Sequence, residues 1–167
     1  QAKDQLIKPG DVVVDLGAAP GGWTELVADW TGSSGRVFAL DILPMDSVAD
    51  VEIILGDFTE EAILNRLMQA LNGERVDVIL SDMAPNMSGN KSVDQPRAMY
   101  LCELALDFAR QTLSPGGTFF IKVFQGEGFD EFFKELRTNF SGLKTRKPGA
   151  SRSRSRETYL LAMGFRG

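Results

Sequence analysis

Histidine is absent from this chain, and cysteine occurs once, as Cys102. Without imidazoles the chain cannot carry Ser-His-Asp chemistry or a histidine general base, and most kinds of zinc site are excluded. We therefore expect no metal site. One cysteine cannot form an internal disulfide, which is typical of a reducing compartment, so we expect a cytoplasmic protein.

Long apolar runs are also missing. The runs in this chain cover only a few residues, whereas a membrane-spanning helix needs about 20, so we expect no membrane partner. No secretory signal peptide opens the chain, and its first residue is Gln1, so we expect the natural N-terminus to lie upstream. The 167 residues predict one domain over residues 1–167, acting as a monomer.

The most informative segment that is present is an apolar run ending in a glycine-rich loop, Val-Val-Val-Asp-Leu-Gly-Ala-Ala-Pro-Gly-Gly-Trp. The run Val12–Val14 suits a strand buried on both faces, and a helix can begin at Trp23. Asp15 and Gly17 then fall at the carboxyl end of the strand, where open α/β sheets bind ligands. Gly21 lets the backbone approach a ligand closely. The pattern predicts a cofactor-binding turn that includes Gly17.

The loop does not match the dinucleotide fingerprint G-x-G-x-x-G, because the second glycine is missing after Gly17. It fits S-adenosylmethionine better, since that nucleoside carries no pyrophosphate. Asp41 ends the next apolar run and can accept hydrogen bonds from both ribose hydroxyls. The alternative is a turn that binds nothing, with Asp15 and Asp41 serving as caps.

Apolar runs and amphipathic stretches alternate along the chain, which predicts an α/β fold. We expect a Rossmann-like, mostly parallel seven-stranded sheet with helices on both faces and an antiparallel pair of strands at one edge. The predicted strands are Val12–Leu16, Val37–Leu40, Val51–Ile54, Val76–Leu80, Thr118–Val123, Leu143–Lys147 and Thr158–Met163. The predicted helices are Trp23–Trp30, Glu60–Asn72, Pro96–Leu113 and Phe129–Asn139, the third capped by Asp94 and ended by Ser-Pro-Gly-Gly from Ser114.

Three titratable residues lie at predicted strand ends where packing does not require them. Asp82 follows the fourth strand, Lys122 lies inside an otherwise apolar strand, and Glu157 opens the last strand. A lysine there is costly to bury unless carboxylates pair with it, and Asp82 and Glu157 are the available partners. The cluster is interpreted either as a catalytic group beside the cofactor loop or as an ion pair that only closes the sheet.

Positive charge is concentrated although the net charge is −5. Six of the eighteen basic residues fall within thirteen positions that hold no acid: Lys144, Arg146, Lys147, Arg152, Arg154 and Arg156. Such a stripe on an acidic body is typical of a surface that docks on nucleic acid, because only the contact face must attract phosphate. The alternative is a solvated loop.

Several segments together resemble the FtsJ/RrmJ family of ribosomal RNA 2′-O-methyltransferases, and most closely its bacterial large-subunit type. The matching segments are Asp15–Trp23, Leu43–Asp46, Gly56–Phe58, Ser81–Gly89, Pro96–Tyr100, Lys122–Asp130 and Lys147–Glu157. The resemblance implies a class I S-adenosylmethionine-dependent enzyme that methylates a uridine ribose of ribosomal RNA, on the assembled large subunit.

The resemblance also implies roles for individual residues. Gly21, Trp23, Asp41, Asp57 and Asp82 would contact the cofactor, and Asp82, Lys122 and Glu157 would be three members of the family's Lys-Asp-Lys-Glu catalytic tetrad. The first lysine of that tetrad belongs to a basic segment upstream of Gln1 in the family pattern, so we expect this chain to be impaired in RNA binding and methyl transfer.

Two other classes of function remain as alternatives. A non-catalytic RNA-binding or ribosome-assembly module would bind RNA without cofactor and would tolerate Asp82→Ala, which the enzyme would not. An NAD-dependent oxidoreductase is disfavoured by the glycine pattern around Gly17. Methylation of a base carbon is disfavoured because Cys102 falls on the apolar face of a predicted helix.

Overall fold

The computed structural model describes residues 6–17, 22–85, 87–146 and 156–167, with the side chains at 22, 23 and 25 left out. The elements in chain order are β1 Val12–Leu16, α1 Gly22–Thr31, β2 Arg36–Asp41, β3 Val51–Leu55, α2 Glu61–Leu71, β4 Val76–Ser81, α3 Lys91–Thr112, β5 Leu113–Phe124, α4 Phe129–Asn139, β6 Phe140–Arg146 and β7 Glu157–Phe165. Each predicted strand and helix is confirmed, with shifts at several ends.

The strands form one sheet in the order β3-β2-β1-β4-β5-β7-β6. Strands β1 to β5 are parallel, and β7 runs antiparallel to both β5 and β6. The chain builds outward from β1 to β3 and then returns to place β4 on the other side of β1. The carboxyl ends of β1 and β4 therefore flank the point where the strand order reverses, which is where open α/β sheets bind ligands.

Apolar side chains fill both faces of the sheet. Val12, Val14 and Leu16 of β1 point into the larger cluster, which α2, α3 and α4 cover. Val13 points into the opposite cluster, where it meets Val27 of α1. All five β1 residues are buried, because a central strand with helices on both sides has no solvent face. The predicted two-faced helical cover is confirmed.

Helix α3 begins at Lys91, five residues before the predicted start at Pro96. Its N-cap is Asn90, whose side chain accepts a hydrogen bond from the Ser92 amide at 3.0 Å. The prediction that Asp94 is the cap was wrong. The Asp94 carboxylate lies inside the helix and binds the preceding loop, and Pro96 sits in the helix at the cost of one backbone hydrogen bond.

Strand β5 is longer than predicted, starting at Leu113 rather than Thr118. The helix does end before Ser114, but the Ser-Pro-Gly-Gly stretch continues into the strand instead of forming a separate turn. The register with β4 shifts between Val76 and Val78, which accommodates the proline and the positive φ of Gly116. No helix in the described parts of the chain is long and apolar enough to cross a membrane.

Candidate active site

A cleft of about 700 Å³ opens at the carboxyl ends of β1, β2 and β4. Four of the residues predicted to bind a cofactor line it: Gly17, Asp41, Asp57 and Asp82. Most of the remaining wall is apolar or aromatic, including Ile42, Leu43, Phe58, Met83 and Tyr100, and the polar residues Thr59 and Arg97 also line it. The cleft thus combines a carboxylate floor with apolar sides that suit a nucleoside base.

Gly17 is required by the close approach of two strand ends. Its φ is +76°, and a Cβ added there would lie 2.7 Å from the Asp82 carbonyl oxygen. The Gly17 amide donates to the Leu40 carbonyl at 2.8 Å, and the Asp82 amide donates to the Leu16 carbonyl at 3.0 Å. The chain segments after β1 and β4 are therefore joined directly at the bottom of the cleft, with no room for a side chain at position 17.

Asp41 and Asp57 sit at the ends of β2 and β3. The Asp41 carboxylate accepts from the Leu43 amide at 3.0 Å, and the Asp57 carboxylate accepts from the Thr59 amide at 2.8 Å and from the Thr59 hydroxyl at 2.7 Å. The Gly56 amide donates to the Asp41 carbonyl at 2.8 Å, which holds the two strand ends together. Each carboxylate is thus oriented by the turn that follows it.

Gly21 lies outside the described residues. Trp23 belongs to the described backbone of α1, but its side chain lies outside them, so neither predicted contact is placed at the cleft.

Asp15, which the sequence placed beside the loop without a role of its own, is a buried carboxyl behind the cleft. It is 3% exposed and accepts from the Thr24 hydroxyl of α1 at 3.0 Å. Burial raises the pKa of Asp15 to about 7, opposed by the Thr24 hydrogen bond and reinforced by the negative charges of Asp82 and Asp41. The cleft region therefore collects several acidic groups, which favour a positively charged ligand and oppose a pyrophosphate.

Lys122 lies between the two predicted carboxylates. Its Nζ is 2.9 Å from Asp82 Oδ1 and 3.8 Å from Glu157 Oε2. The lysine side chain is 12% exposed, whereas Asp82 and Glu157 are about 40% exposed, so the carboxylates form the outer side of the cluster. Because Asp82 also lines the cleft, the cluster and the cleft are contiguous.

The strand register explains why these three groups meet. Lys122 pairs with Tyr159, and Phe124 pairs with Glu157, across the antiparallel β5–β7 ladder. The Phe124 ring lies 5.7 Å from Lys122 Nζ and forms part of the wall beside the ammonium.

Sequence reasoning missed Tyr159. Its ring stacks on Phe120 at 5.1 Å. Burial raises the pKa of Tyr159 to about 12, with further contributions from the negative charges of Asp82 and Glu157 and from interaction of its hydroxyl with the Asp82 carboxylate. Only the register of β7, two residues beyond Glu157, places this hydroxyl at the cluster.

The predicted basic stripe is described in part. Lys144 is exposed and Arg146 is half-buried on β6, and Arg156 is half-buried immediately before β7. Lys147, Arg152 and Arg154 lie outside the described residues. Arg156 differs from Lys144 because its guanidinium donates to Gln95 Oε1 and to the Gln125 carbonyl, both at 3.1 Å.

Comparison with known proteins gives one consistent result. A family model described as FtsJ-like methyltransferase matches residues 1–165. Two curated bacterial proteins, each named ribosomal RNA large subunit methyltransferase E, match 99% of this chain and 79% of their own length. The protein of Chromohalobacter salexigens is 63% identical over 166 residues, and that of Alkalilimnicola ehrlichii is 64% identical over 165 residues.

Solved structures agree. A crystal structure described as a ribosomal RNA methyltransferase of Plasmodium falciparum superposes with a TM-score of 0.87 at 26% identity, covering 99% of this chain and 92% of that one. Aeropyrum pernix fibrillarin, solved with natively bound S-adenosyl-L-methionine, has a TM-score of 0.63 at 19% identity, covering 95% of this chain and 68% of that one. The second likeness concerns the fold.

Proposed function

Because the chain belongs to the FtsJ-like methyltransferase family, we propose that it transfers a methyl group from S-adenosylmethionine to a ribose 2′-hydroxyl of large-subunit ribosomal RNA. The observation that carries the proposal is the Lys122 ammonium held between Asp82 and Glu157 at the edge of the cleft. A ribose hydroxyl and a methyl donor can meet there.

The cleft volume of about 700 Å³ and its carboxylates suit this cofactor. Asp41, at the end of β2, is the residue we propose for the ribose hydroxyls, and Asp57 and Asp82 for the adenosine and methionine parts. Gly17, proposed as a cofactor contact from the sequence, lines the cleft where the chain segments after β1 and β4 approach each other too closely for a Cβ. Gly21 and Trp23 stay proposed cofactor contacts on the resemblance alone. When bound, the cofactor would supply an electrophilic methyl group on a cationic sulfur, and the acidic residues lining the cleft would favour that positive charge.

Lys122 is proposed to orient the nucleophile. The two carboxylates stabilise its ammonium, which can donate a hydrogen bond to the ribose 2′-oxygen and hold it in line with the methyl group. The same ammonium stabilises negative charge as it develops on that oxygen. The hydroxyl proton leaves late, to one of the two partly exposed carboxylates and then to water, so that the products are a methyl ether, the demethylated cofactor as a neutral thioether, and a released proton.

Replacement of Lys122 tests this role. We expect Lys122→Met to lower the rate of methyl transfer by about 100-fold or more, because neither charge nor donor remains. Lys122→Arg keeps the charge but changes the donor geometry, and we expect an intermediate loss. The measurement is transfer of labelled methyl to ribosomal RNA, with cofactor affinity followed by calorimetry. Lys134→Met removes an exposed lysine of α4 and serves as the control. Wild-type activity in Lys122→Arg would contradict the orienting role.

The form of the substrate is a separate proposal. Methylation requires that the ribose of the uridine reach the cleft. We propose that the assembled large subunit presents this uridine, and that the chain acts as a monomer. Mass spectrometry of RNA fragments after incubation with free RNA or with large subunits distinguishes the two substrates. Equal methylation of free RNA would contradict the proposal. Comparing this chain with an N-terminally extended version tests the expectation that transfer is impaired.

A further inference from the structure

Two consecutive polar residues near the start of α3 are buried. Asp94 and Gln95 are each 5% exposed, although a helix ordinarily turns such side chains toward water. Buried polar groups are retained where they satisfy other polar groups, so the partners of these two side chains indicate their role. The partners lie on three chain segments, each of which adjoins one member of the cluster formed by Asp82, Lys122 and Glu157.

Gln95 binds the segment that follows β5. Its amide nitrogen donates to the Phe124 carbonyl and to the Glu127 carbonyl, both at 3.0 Å. The amide oxygen of Gln95 accepts a hydrogen bond from Arg156 Nη1 at 3.1 Å. Arg156 Nη1 also donates to the Gln125 carbonyl at 3.1 Å. The Gln125 amide returns a bond to the Arg156 carbonyl at 2.8 Å. We call the side chains of Gln95 and Arg156 the clamp.

The clamp packs closely against Gly126. A Cβ at that position would lie 3.0 Å from the Gln95 amide carbon and 3.1 Å from Arg156 Nη1, and its φ of +145° is one that other residues rarely adopt. The loop, the helix and the start of β7 therefore meet in one tightly packed hydrogen-bonded group.

The position of the clamp relates it to the site. Phe124, which Gln95 binds, pairs with Glu157 across the ladder and lies two residues after Lys122. Arg156 directly precedes Glu157. The clamp therefore ties together the two chain ends whose register sets the Nζ to Oε2 separation of 3.8 Å.

Asp94 performs the corresponding task on the other side. Its carboxylate accepts from the Ser88 amide and hydroxyl, both at 2.8 Å, and from the Gly89 amide at 3.0 Å. Those bonds hold the pKa of Asp94 below its usual range, the Ser88 amide contributing most. Ser88 and Gly89 belong to the loop that connects Asp82 to α3.

We propose that the clamp residues Gln95 and Arg156 are positioning residues that hold Glu157 in register with Lys122 for methyl transfer. This assignment differs from the sequence-based prediction that Arg156 binds RNA phosphate. It rests on the proposed function, because its main readout is the methyl-transfer rate. Arg156 then acts through Glu157, and Gln95 acts through both the β5 end and Arg156.

The first test separates positioning from RNA contact. Arg156→Met removes both guanidinium bonds, and we expect kcat to fall about tenfold or more while KM for the RNA changes by less than about threefold. Lys144→Met removes the same charge from the exposed neighbouring strand, and there we expect KM to rise with kcat unchanged. Arg156→Lys restores a donor, and we expect it to recover most of kcat. A rise in KM alone for Arg156→Met would overturn the proposal.

The second test addresses Gln95 without a large change of shape. Gln95→Glu keeps an oxygen for Arg156 but replaces the donor to the Phe124 and Glu127 carbonyls by an acceptor, so we expect kcat to fall by about the same factor as for Arg156→Met. Wild-type kcat in Gln95→Glu would overturn the proposal. Cofactor affinity and thermal unfolding of each variant are measured to check that the fold is retained.

A third measurement keeps the clamp distinguishable from the proposed function. Exchange of the Lys122 ammonium protons with water, followed by NMR, reports how firmly the carboxylates hold the ammonium whether or not methyl is transferred. We expect faster exchange in Arg156→Met and Gln95→Glu and no change in Lys144→Met. Absence of methyl transfer in both the wild-type chain and its N-terminally extended version would overturn the proposed function, whereas unchanged exchange in both clamp variants would overturn the clamp.

Discussion

Asp15 illustrates how burial sets the ionisation of one side chain behind the cleft. Asp15 is 3% exposed, and although it accepts from the Thr24 hydroxyl its ionised form is poorly solvated, which is why its pKa rises to about 7. An acid with a raised pKa holds its proton more tightly in the folded chain than in the unfolded one. Between its ordinary value of 3.8 and about 7 the folded state therefore binds more protons, and stability falls as pH rises through that window.

Asp15→Asn tests this linkage. Asparagine keeps the shape but cannot ionise, so we expect the variant to lose less stability than the wild type when pH rises from about 5 to about 8. The upper bound on the difference is on the order of 3 kcal/mol, because about two pH units separate pH 5 from the folded-state pKa of about 7. Urea unfolding at the two pH values measures it. Asp29→Asn removes an exposed carboxylate from the same helix and should behave like the wild type. Parallel pH dependence in Asp15→Asn would contradict the assignment.

At the scale of single residues, some members of the site could be predicted from the sequence and others could not. Lys122 was identifiable because a cation inside an apolar strand needs a carboxylate partner. Tyr159 and Gln95 were not, because a tyrosine in a strand and a glutamine in a helix fit ordinary packing equally well. Their roles depend on strand register and helix phase, which are properties of elements.

At the scale of elements, the start of α3 shows how two residues competed for one structural task. Asparagine and aspartate are both common N-caps, and the sequence predicted Asp94 because Pro96 suits the first turn of a helix. The folded chain uses Asn90 as the cap, since Asp94 is occupied by the Ser88 and Gly89 amides. The interior of each helix and strand was predictable from periodicity. The positions of the ends depended on which backbone amides each polar side chain binds in the folded chain.

The cap assignment makes a stability prediction. Asn90→Ala removes the acceptor for the Ser92 amide, and we expect the free energy of unfolding to fall by about 1 kcal/mol. Asn90→Asp keeps the acceptor and should retain wild-type stability. Lys91→Ala changes the adjacent exposed residue and should stay within about 0.5 kcal/mol of the wild type. Chemical denaturation measures all three, and a loss no larger for Asn90→Ala than for Lys91→Ala would show that Asn90 does not cap the helix.

At the scale of the whole molecule, acidic and basic residues lie in different places, the acidic ones at the cleft and the basic ones at the edge of the sheet. The cleft is bordered by Asp41, Asp57 and Asp82, which suit a cationic cofactor, while Lys144 and Arg146 stand on the edge strand β6. A net charge of −5 repels a polyanion on average, so RNA must approach the face that carries the basic residues. We propose that this arrangement orients the RNA, with its phosphates on the β6 side and one ribose at Lys122.

Salt dependence of RNA binding tests that orientation. Log affinity falls with log salt concentration, and loss of one phosphate contact makes this slope shallower by about 1. We expect this change in Lys144→Met. Arg66→Gln removes an exposed cation from α2, which packs beside β3 at the opposite end of the sheet, and should leave the slope unchanged. Arg156→Met should also leave it unchanged, because that guanidinium is engaged by Gln95 and Gln125. Filter binding over a salt series measures each slope. Equal slopes in Lys144→Met and the wild type would place the RNA on another face. A shallower slope in Arg156→Met would show that Arg156 contacts RNA phosphate.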